Sequence, residues 1–252
     1  MKNIFISLFI AFGITSILGS CAQNKVDLAD VTIVYDASDD KLVAQMAVTL
    51  ADDIERVSGV RPGVSTDPVE GPSVVLGTVG KSSVVAPKKE LEGKWESFAI
   101  TTGADRIEVV GSDPRGLAYG VFRISEAIGV STWYWWADVP VEHDPSPMYG
   151  ENYMSEEPSV KYRGLFINDE DWGILPWSGG VIGPETNERI FQLMLRLRAN
   201  YYWPAMHEVS QPFFTIPGNR EMAHKYGIYI GGSHCEPMAT SPAKEWEMRG
   251  VG

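Results

Sequence analysis

Apolar and polar positions follow two rhythms along this chain, one before and one after a proline-rich stretch near residue 138. A short β-branched run at 31–35 precedes Leu42, Met46, Leu50, Ile54 and Val57, whose three- and four-residue steps predict one apolar face of a helix. Gly59 is placed to end that helix, because glycine takes the left-handed conformation at little cost. Residues 73–77 read as a second strand, and 97–102 with 106–111 as a hairpin turning at Gly103-Ala104-Asp105. Pro114-Arg115-Gly116 then leads into Leu117, Val121, Ile124 and Ile128, a second helical stripe. Two helices on a small mixed sheet make an α/β domain over residues 30–137, an ordinary domain size. Nothing in it clusters as a catalytic constellation, and its Asp and Glu residues read as a solvated face.

Pro140, Pro145, Pro147 and Pro158 mark 138–159 as a linker or an extended excursion across the surface. Beyond it the pattern becomes strand, helix, strand, helix, strand: a strand at 162–167, then a helix opened by Gly183-Pro184-Glu185 and bearing Ile190, Met194 and Leu197. A strand at 200–206, a short helix at 220–226 and a strand at 228–233 follow. Pro and Glu in a first turn suit the orphan amides and the helix dipole. Each predicted strand runs into polar groups: Asn168-Asp169-Glu170-Asp171, then His207-Glu208, then His234-Cys235-Glu236. Polar endings in series are the pattern of a (β/α)8 barrel, whose active site collects at the C-terminal ends of its strands.

The expected fold class is therefore α/β: a small mixed α/β N-terminal domain, then the first three strands of an incomplete (β/α)8 TIM barrel over 160–252. Three strands leave five missing, so the chain reads as an N-terminal fragment, poorly soluble and inactive alone because an unclosed barrel uncovers apolar surface. A flavodoxin-like sheet completed by another chain is the alternative.

Composition narrows the function. Hydrophobic residues at 44% and charged residues at 21% are those of a folded protein. A net charge of −12 argues against a nucleic-acid partner, which needs a basic face. Eight Trp and ten Tyr exceed what a small core requires. Such a surplus serves stacking on sugar rings, although structural tryptophan is the commoner explanation.

Residues 1–21 are set apart as a targeting segment. Lys2 supplies a positive start, and residues 4–17 form an apolar stretch too short for a good membrane span. Leu18-Gly19-Ser20-Cys21 resembles the lipobox of bacterial lipoproteins, in which the cysteine is lipidated. An ordinary secretory signal is the bland alternative. The expected location is the bacterial periplasm or the outer-membrane surface, with membrane contact only through that anchor. With Cys21 acylated only Cys235 remains, so no intrachain disulfide is expected.

Four segments carry a family resemblance. They are Tyr162-Arg163-Gly164-Leu165-Phe166-Ile167-Asn168-Asp169-Glu170-Asp171, Leu197-Arg198-Ala199-Asn200-Tyr201-Tyr202-Trp203-Pro204-Ala205-Met206-His207-Glu208, Gly231-Gly232-Ser233-His234-Cys235-Glu236-Pro237-Met238 and Asp113-Pro114-Arg115-Gly116-Leu117-Ala118-Tyr119-Gly120. Together they resemble glycoside hydrolase family 115, the xylan α-1,2-glucuronidases. The resemblance implies a small mixed α/β domain before a (β/α)8 barrel. It also implies release of glucuronic acid, or its 4-O-methyl ether, from glucuronoxylan or its oligosaccharides with inversion. Inversion requires a carboxylic acid and a carboxylate base roughly 6.5–9.5 Å apart, with room for a water between them.

Under that resemblance Glu170 and Asp169 are the candidate catalytic carboxylates, although at least one of Asp169, Glu170 and Asp171 reads equally as a cap or backbone ligand. Asn168, Trp203, His207, His234 and Glu236 are the candidate substrate-binding residues. Trp203 would stack on the sugar, the histidines would donate hydrogen bonds, and Glu208 and Glu236 would orient them. Trp203 as core packing and histidines as structural residues stand as the plainer readings. No HExxH or similarly tight spacing is present, so neither a metal nor a cofactor is expected. Nothing marks a partner base for Cys235 as a nucleophile. A non-catalytic carbohydrate-binding lipoprotein and a glycosidase of other specificity, such as a hexosaminidase, remain as alternatives. A homodimer of the full-length protein is the assembly allowed for.

Overall fold

The structure is a computed structural model that describes residues 24–167, 172–205, 210–232, 240 and 242–249. It is mixed α/β. Strand β1 (Val26–Asp27) is followed by β2 (Thr32–Tyr35) and helix α1 (Lys41–Ser58). The Asp40 side chain accepts the Leu42 amide at the start of α1, and Gly59 ends the helix at φ +76°. The Gly59 ending is the one expected from the sequence, and Leu42, Met46, Leu50, Ile54 and Val57 are all buried.

Strands β3 (Gly63–Ser65), β4 (Ser73–Thr78), β5 (Phe98–Thr102) and β6 (Arg106–Gly111) precede helix α2 (Pro114–Ala127). Asp113 caps α2 by accepting the Gly116 amide at 2.8 Å. Strands β7 (Met148–Tyr149) and β8 (Tyr153–Met154) follow. The first large sheet has the order β3-β2-β4-β6-β5-β8, with β3, β2, β4 and β6 parallel and β5 antiparallel to both its neighbours. Ile33, Val74, Leu76, Phe98, Ile100, Ile107 and Val109 face the two helices, as period-two alternation requires. Ala99 and Val110 face the other way, toward Leu91 and the loop carrying Val79 and Val85.

The stretch 138–159, read from sequence as a linker, carries β7 and β8. The first pairs with β1 and the second extends the sheet beyond β5. Neither two-residue strand has a pattern long enough to register as one.

Strand β9 (Gly164–Phe166), the short helix α3 (Ile174–Trp177), α4 (Pro184–Arg196), β10 (Tyr201–Trp203), α5 (Asn219–Lys225), β11 (Tyr229–Ile230) and α6 (Pro242–Arg249) complete the described elements. The three strands form a parallel sheet, order β11-β10-β9, in which Gly164, Tyr201 and Tyr229 stand side by side. Tyr202 on β10 turns toward the helices and meets Phe191 of α4 at 5.6 Å. The strand–helix alternation and its order thus match the sequence reading, although each strand is shorter than its apolar run.

One contiguous buried cluster joins the two sheets. Val43, Leu50 and Tyr119 on one side are continuous with Ile190, Met194, Tyr202 and Tyr226 on the other. Arg196 of α4 donates to Asp53 of α1 at 2.6 Å with both side chains buried, and its guanidinium lies 4.4 Å over the Phe122 ring. Asp53 is therefore no part of a solvated face, which corrects the sequence reading.

Gly116 sets how closely α2 lies on β5, since a Cβ there would collide with the Ser97 carbonyl oxygen. Gly116→Ala is expected to lower stability by about 1–3 kcal/mol, the usual cost of overpacking a rigid contact. A urea unfolding curve checks it, and an unchanged midpoint would show that the helix can shift freely.

Candidate functional site

The parallel strands β9, β10 and β11 bring their last described residues to one edge of the sheet. The Ile167 amide donates to the Trp203 carbonyl at 3.2 Å and the Gly231 amide to the Tyr202 carbonyl at 2.9 Å, so the three strand ends stay in register. From this edge the sequence continues into the three polar segments. Of the candidate residues, Asn168, Asp169, Glu170, His207, His234 and Glu236 lie outside the described residues, as does Cys21.

Trp203 is the candidate that the structure describes. It ends β10 with 39% of its surface exposed among the described residues. Phe166 stands edge-on to it at 5.4 Å, and its indole N–H reaches the Tyr201 hydroxyl at 3.4 Å. Tyr162 meets Tyr201 at 5.8 Å and Tyr229 at 5.4 Å on the same open face. Gly231 is needed beside them, because a Cβ there would strike the Tyr201 hydroxyl and the Trp203 ring. This aromatic face offers flat apolar surfaces with hydroxyl and N–H groups at their rims, a chemistry suited to sugar rings.

The other end of the sheet is held by residues that sequence reasoning passed over. Glu96 sits in the loop before β5, at φ +48° and with its side chain almost wholly excluded from solvent. Its Oε1 accepts from Arg115 Nε at 2.5 Å and from Asn200 Nδ2 at 2.8 Å. Its Oε2 accepts from Arg163 Nη2 and from the Tyr119 hydroxyl. Arg163 leads into β9, Asn200 into β10, and Arg115 continues to the Gly227 carbonyl and the Tyr229 hydroxyl on the approach to β11. Asn200 also accepts the Arg163 amide at 2.9 Å. One carboxylate therefore ties together the N-terminal ends of all three strands.

Burial works to raise the Glu96 pKa, but hydrogen bonds from Arg163, Asn200 and Arg115 outweigh it and leave the group below its ordinary value. Glu96, like Asp53, is therefore no part of a solvated face of the N-terminal domain, which corrects the sequence reading. The available signal was Arg115 within Asp113-Pro114-Arg115-Gly116, a guanidinium in an otherwise apolar helix start. Among the described residues, no group of His, Cys, Asp and Glu is arranged to hold a metal ion. No described helix is long and apolar enough to cross a membrane.

The layering of a helix-backed mixed sheet against a parallel three-stranded sheet is shared with enzymes that cleave glycosidic bonds. An N-acetyl-β-hexosaminidase from Streptomyces plicatus superposes with a TM-score of 0.56 at 13% identity, over 83% of this chain and 42% of its own. The GH20 β-N-acetylhexosaminidase from Streptomyces coelicolor A3(2) does so with a TM-score of 0.55 at 12% identity, over 83% and 43%. At such identities the likeness concerns the fold alone. A 4-O-methyl-α-glucuronidase of family GH115, BtGH115A, with specificity for decorated arabinogalactans, is nearer. It is 40% identical over 91% of this chain with a TM-score of 0.81. The model of glycosyl hydrolase family 115 matches residues 155–252. The chain belongs to glycoside hydrolase family 115. It spans about a third of the length of BtGH115A, 32%. No match was found among curated proteins.

Replacing the buried carboxylate tests how far the sheet depends on it. Glu96→Gln leaves two guanidinium groups facing an amide and is expected to cost about 3–5 kcal/mol. Since the folded pKa is lowered, this contribution is complete above the unfolded value of about 4.3 and is lost as pH falls through the folded value. Unfolding free energy measured from pH 7 to pH 3 should therefore fall less steeply in the variant. Equal acid-side slopes in the two proteins would remove Glu96 from this role.

Proposed function

We propose that the protein is a glycoside hydrolase releasing glucuronic acid, or its 4-O-methyl ether, from side chains of glucuronoxylan or its oligosaccharides. The observation that carries this reading is the 40% identity to a 4-O-methyl-α-glucuronidase across nearly the whole chain. The three-stranded sheet is read as the opening of a (β/α)8 barrel behind a small α/β domain. In support, its strands are parallel, alternate with helices and are backed by them on one face. The remaining strands would lie in the part of the relative's length that this chain does not span.

The mechanism proposed is inverting hydrolysis by two carboxyl groups. One stays protonated and gives its proton to the leaving oxygen while the other takes a proton from the attacking water. Asp169 and Glu170 come three and four residues after β9 in the sequence. One of them supplies one carboxyl of the pair and the other binds sugar hydroxyls, with the second catalytic carboxyl on a later strand. Trp203 stacks on the sugar, and Asn168, His207, His234 and Glu236 bind or orient its polar groups. An exposed Trp203 amid further aromatic rings is what supports this placement.

A second main chain is favoured by one observation. BtGH115A is specific for decorated arabinogalactans, so a uronate-bearing galactan is the alternative substrate. Cys21 is proposed as a lipid attachment site, holding the protein at the periplasmic or outer face of a bacterial membrane. Its support is the sequence of residues 2–21 alone.

In the full-length protein, one of Glu170→Gln and Asp169→Asn should lower release of glucuronic acid by about 10²–10⁴-fold, the usual worth of a general acid or base. Reducing-sugar release from glucuronoxylan and from arabinogalactan measures this and separates the two substrates. Full turnover by both variants would move the chemistry elsewhere. Cys21→Ser is expected to shift the protein from the membrane pellet to the soluble fraction on cell fractionation. Continued sedimentation with the membranes would rule out that anchor.

A further inference from the structure

Residues 131–136 contain three tryptophans and a tyrosine that the aromatic face of the parallel sheet does not use. They pack on the helix side of that sheet, against α3 and the first turns of α4. Trp135 stands edge-on to Trp136 at 5.0 Å and to Trp177 of α3 at 4.9 Å. Trp136 is the anchor of the three, donating its indole N–H to the Arg189 carbonyl at 3.3 Å and packing on the core. Arg189 lies over the Trp135 ring at 5.2 Å and reaches the Tyr134 hydroxyl within 3.5 Å. Trp177 is left 55% exposed. Trp135, Trp177 and Arg189, with Glu185, Thr186 and Glu188, line an open groove of about 450 Å³.

The polar groups of the groove are unequal. Glu188 accepts from the Tyr226 hydroxyl at 2.7 Å and from Lys225 at 3.3 Å, so it is largely committed to the fold. The Glu185 side chain has neither a hydrogen bond nor an ion pair among the described residues. An exposed indole beside a free carboxylate and a threonine hydroxyl suits a ligand with one C–H face and a rim of hydroxyl groups. An anionic sugar is disfavoured, because the lining carries the carboxylates of Glu185 and Glu188 against the single guanidinium of Arg189.

We propose that this groove is a binding site for a neutral pyranose unit of a polysaccharide main chain, stacked on Trp177 and hydrogen-bonded to Glu185. The proposal rests on the glycoside hydrolase reading in taking a polysaccharide as the ligand. Main-chain binding here would hold a polymer on the protein through sugars other than the one released.

The test uses the full-length protein, with xylohexaose and a galactohexaose as neutral probes in calorimetric titration. Hydrolysis of a disaccharide bearing glucuronic acid is followed in parallel. Trp177→Ala should weaken binding of one hexaose by about tenfold, as loss of a central aromatic contact does. Trp177→Phe should keep it within about threefold, and Glu185→Gln should weaken it by about threefold. Disaccharide hydrolysis should be unchanged in all three. Retention of hexaose binding by Trp177→Ala, or no hexaose binding by the unaltered protein, overturns the proposal. A protein that binds a hexaose through Trp177 but hydrolyses nothing keeps the groove and fails the hydrolase reading.

Discussion

The burial of one carboxylate, Glu96, is the constraint on which the rest of this structure depends. A charge taken out of water is costly unless its hydrogen-bonding capacity is filled. Glu96 is filled by two guanidinium groups, an amide and a phenol, drawn from α2 and from the residues leading into β9 and β10. Each donor is in turn fixed by a second bond. Arg163 donates to the Arg198 carbonyl at 2.7 Å and Arg115 to the Gly227 carbonyl at 3.0 Å. A neighbouring arrangement that displaced the mixed sheet from the parallel one would strand the carboxylate or both arginines, so the two sheets have one relative placement.

That placement has a chemical consequence. Parallel strands pinned at their N-terminal ends share a register, and a shared register brings their C-terminal ends level. In this chain the level end carries an aromatic face, and the sequence runs on from it into carboxylates, imidazoles and an amide. Positional accuracy at a reacting centre is worth orders of magnitude in rate. In the enzyme proposed, the buried ionic network at the opposite ends of these strands would contribute to such accuracy. Glu96 at φ +48° and Arg198 at φ +56° both adopt backbone geometry that non-glycine residues rarely take. Such geometry persists where surrounding contacts over-determine it.

The two aromatic surfaces are products of different constraints. On the sheet face, Tyr162, Phe166, Tyr201, Trp203 and Tyr229 share a side because strand residues alternate and the strands are in register. On the helix side, Trp135, Trp136 and Trp177 meet because a loop after α2 folds back over α3 and α4. The first is legible once strands are assigned. The second joins residues more than forty positions apart, and no local pattern announces it.

The sequence by itself determined the elements and their order, because helix stripes, caps and strand alternation are local consequences of side-chain size and polarity. Leu42 to Val57 with Asp40 and Gly59 needed nothing distant to specify α1, and the run to Ile167 announced β9. Family membership was also legible, in four motifs that 40% identity to a GH115 glucuronidase supports. Only the tertiary structure decided that Glu96 and Asp53 are buried, that residues 148–149 and 153–154 are strands, and that Trp177 borders a groove. A carboxylate's solvation, a two-residue strand and an indole's exposure are set by partners far along the chain. Local periodicity carries no information about such partners.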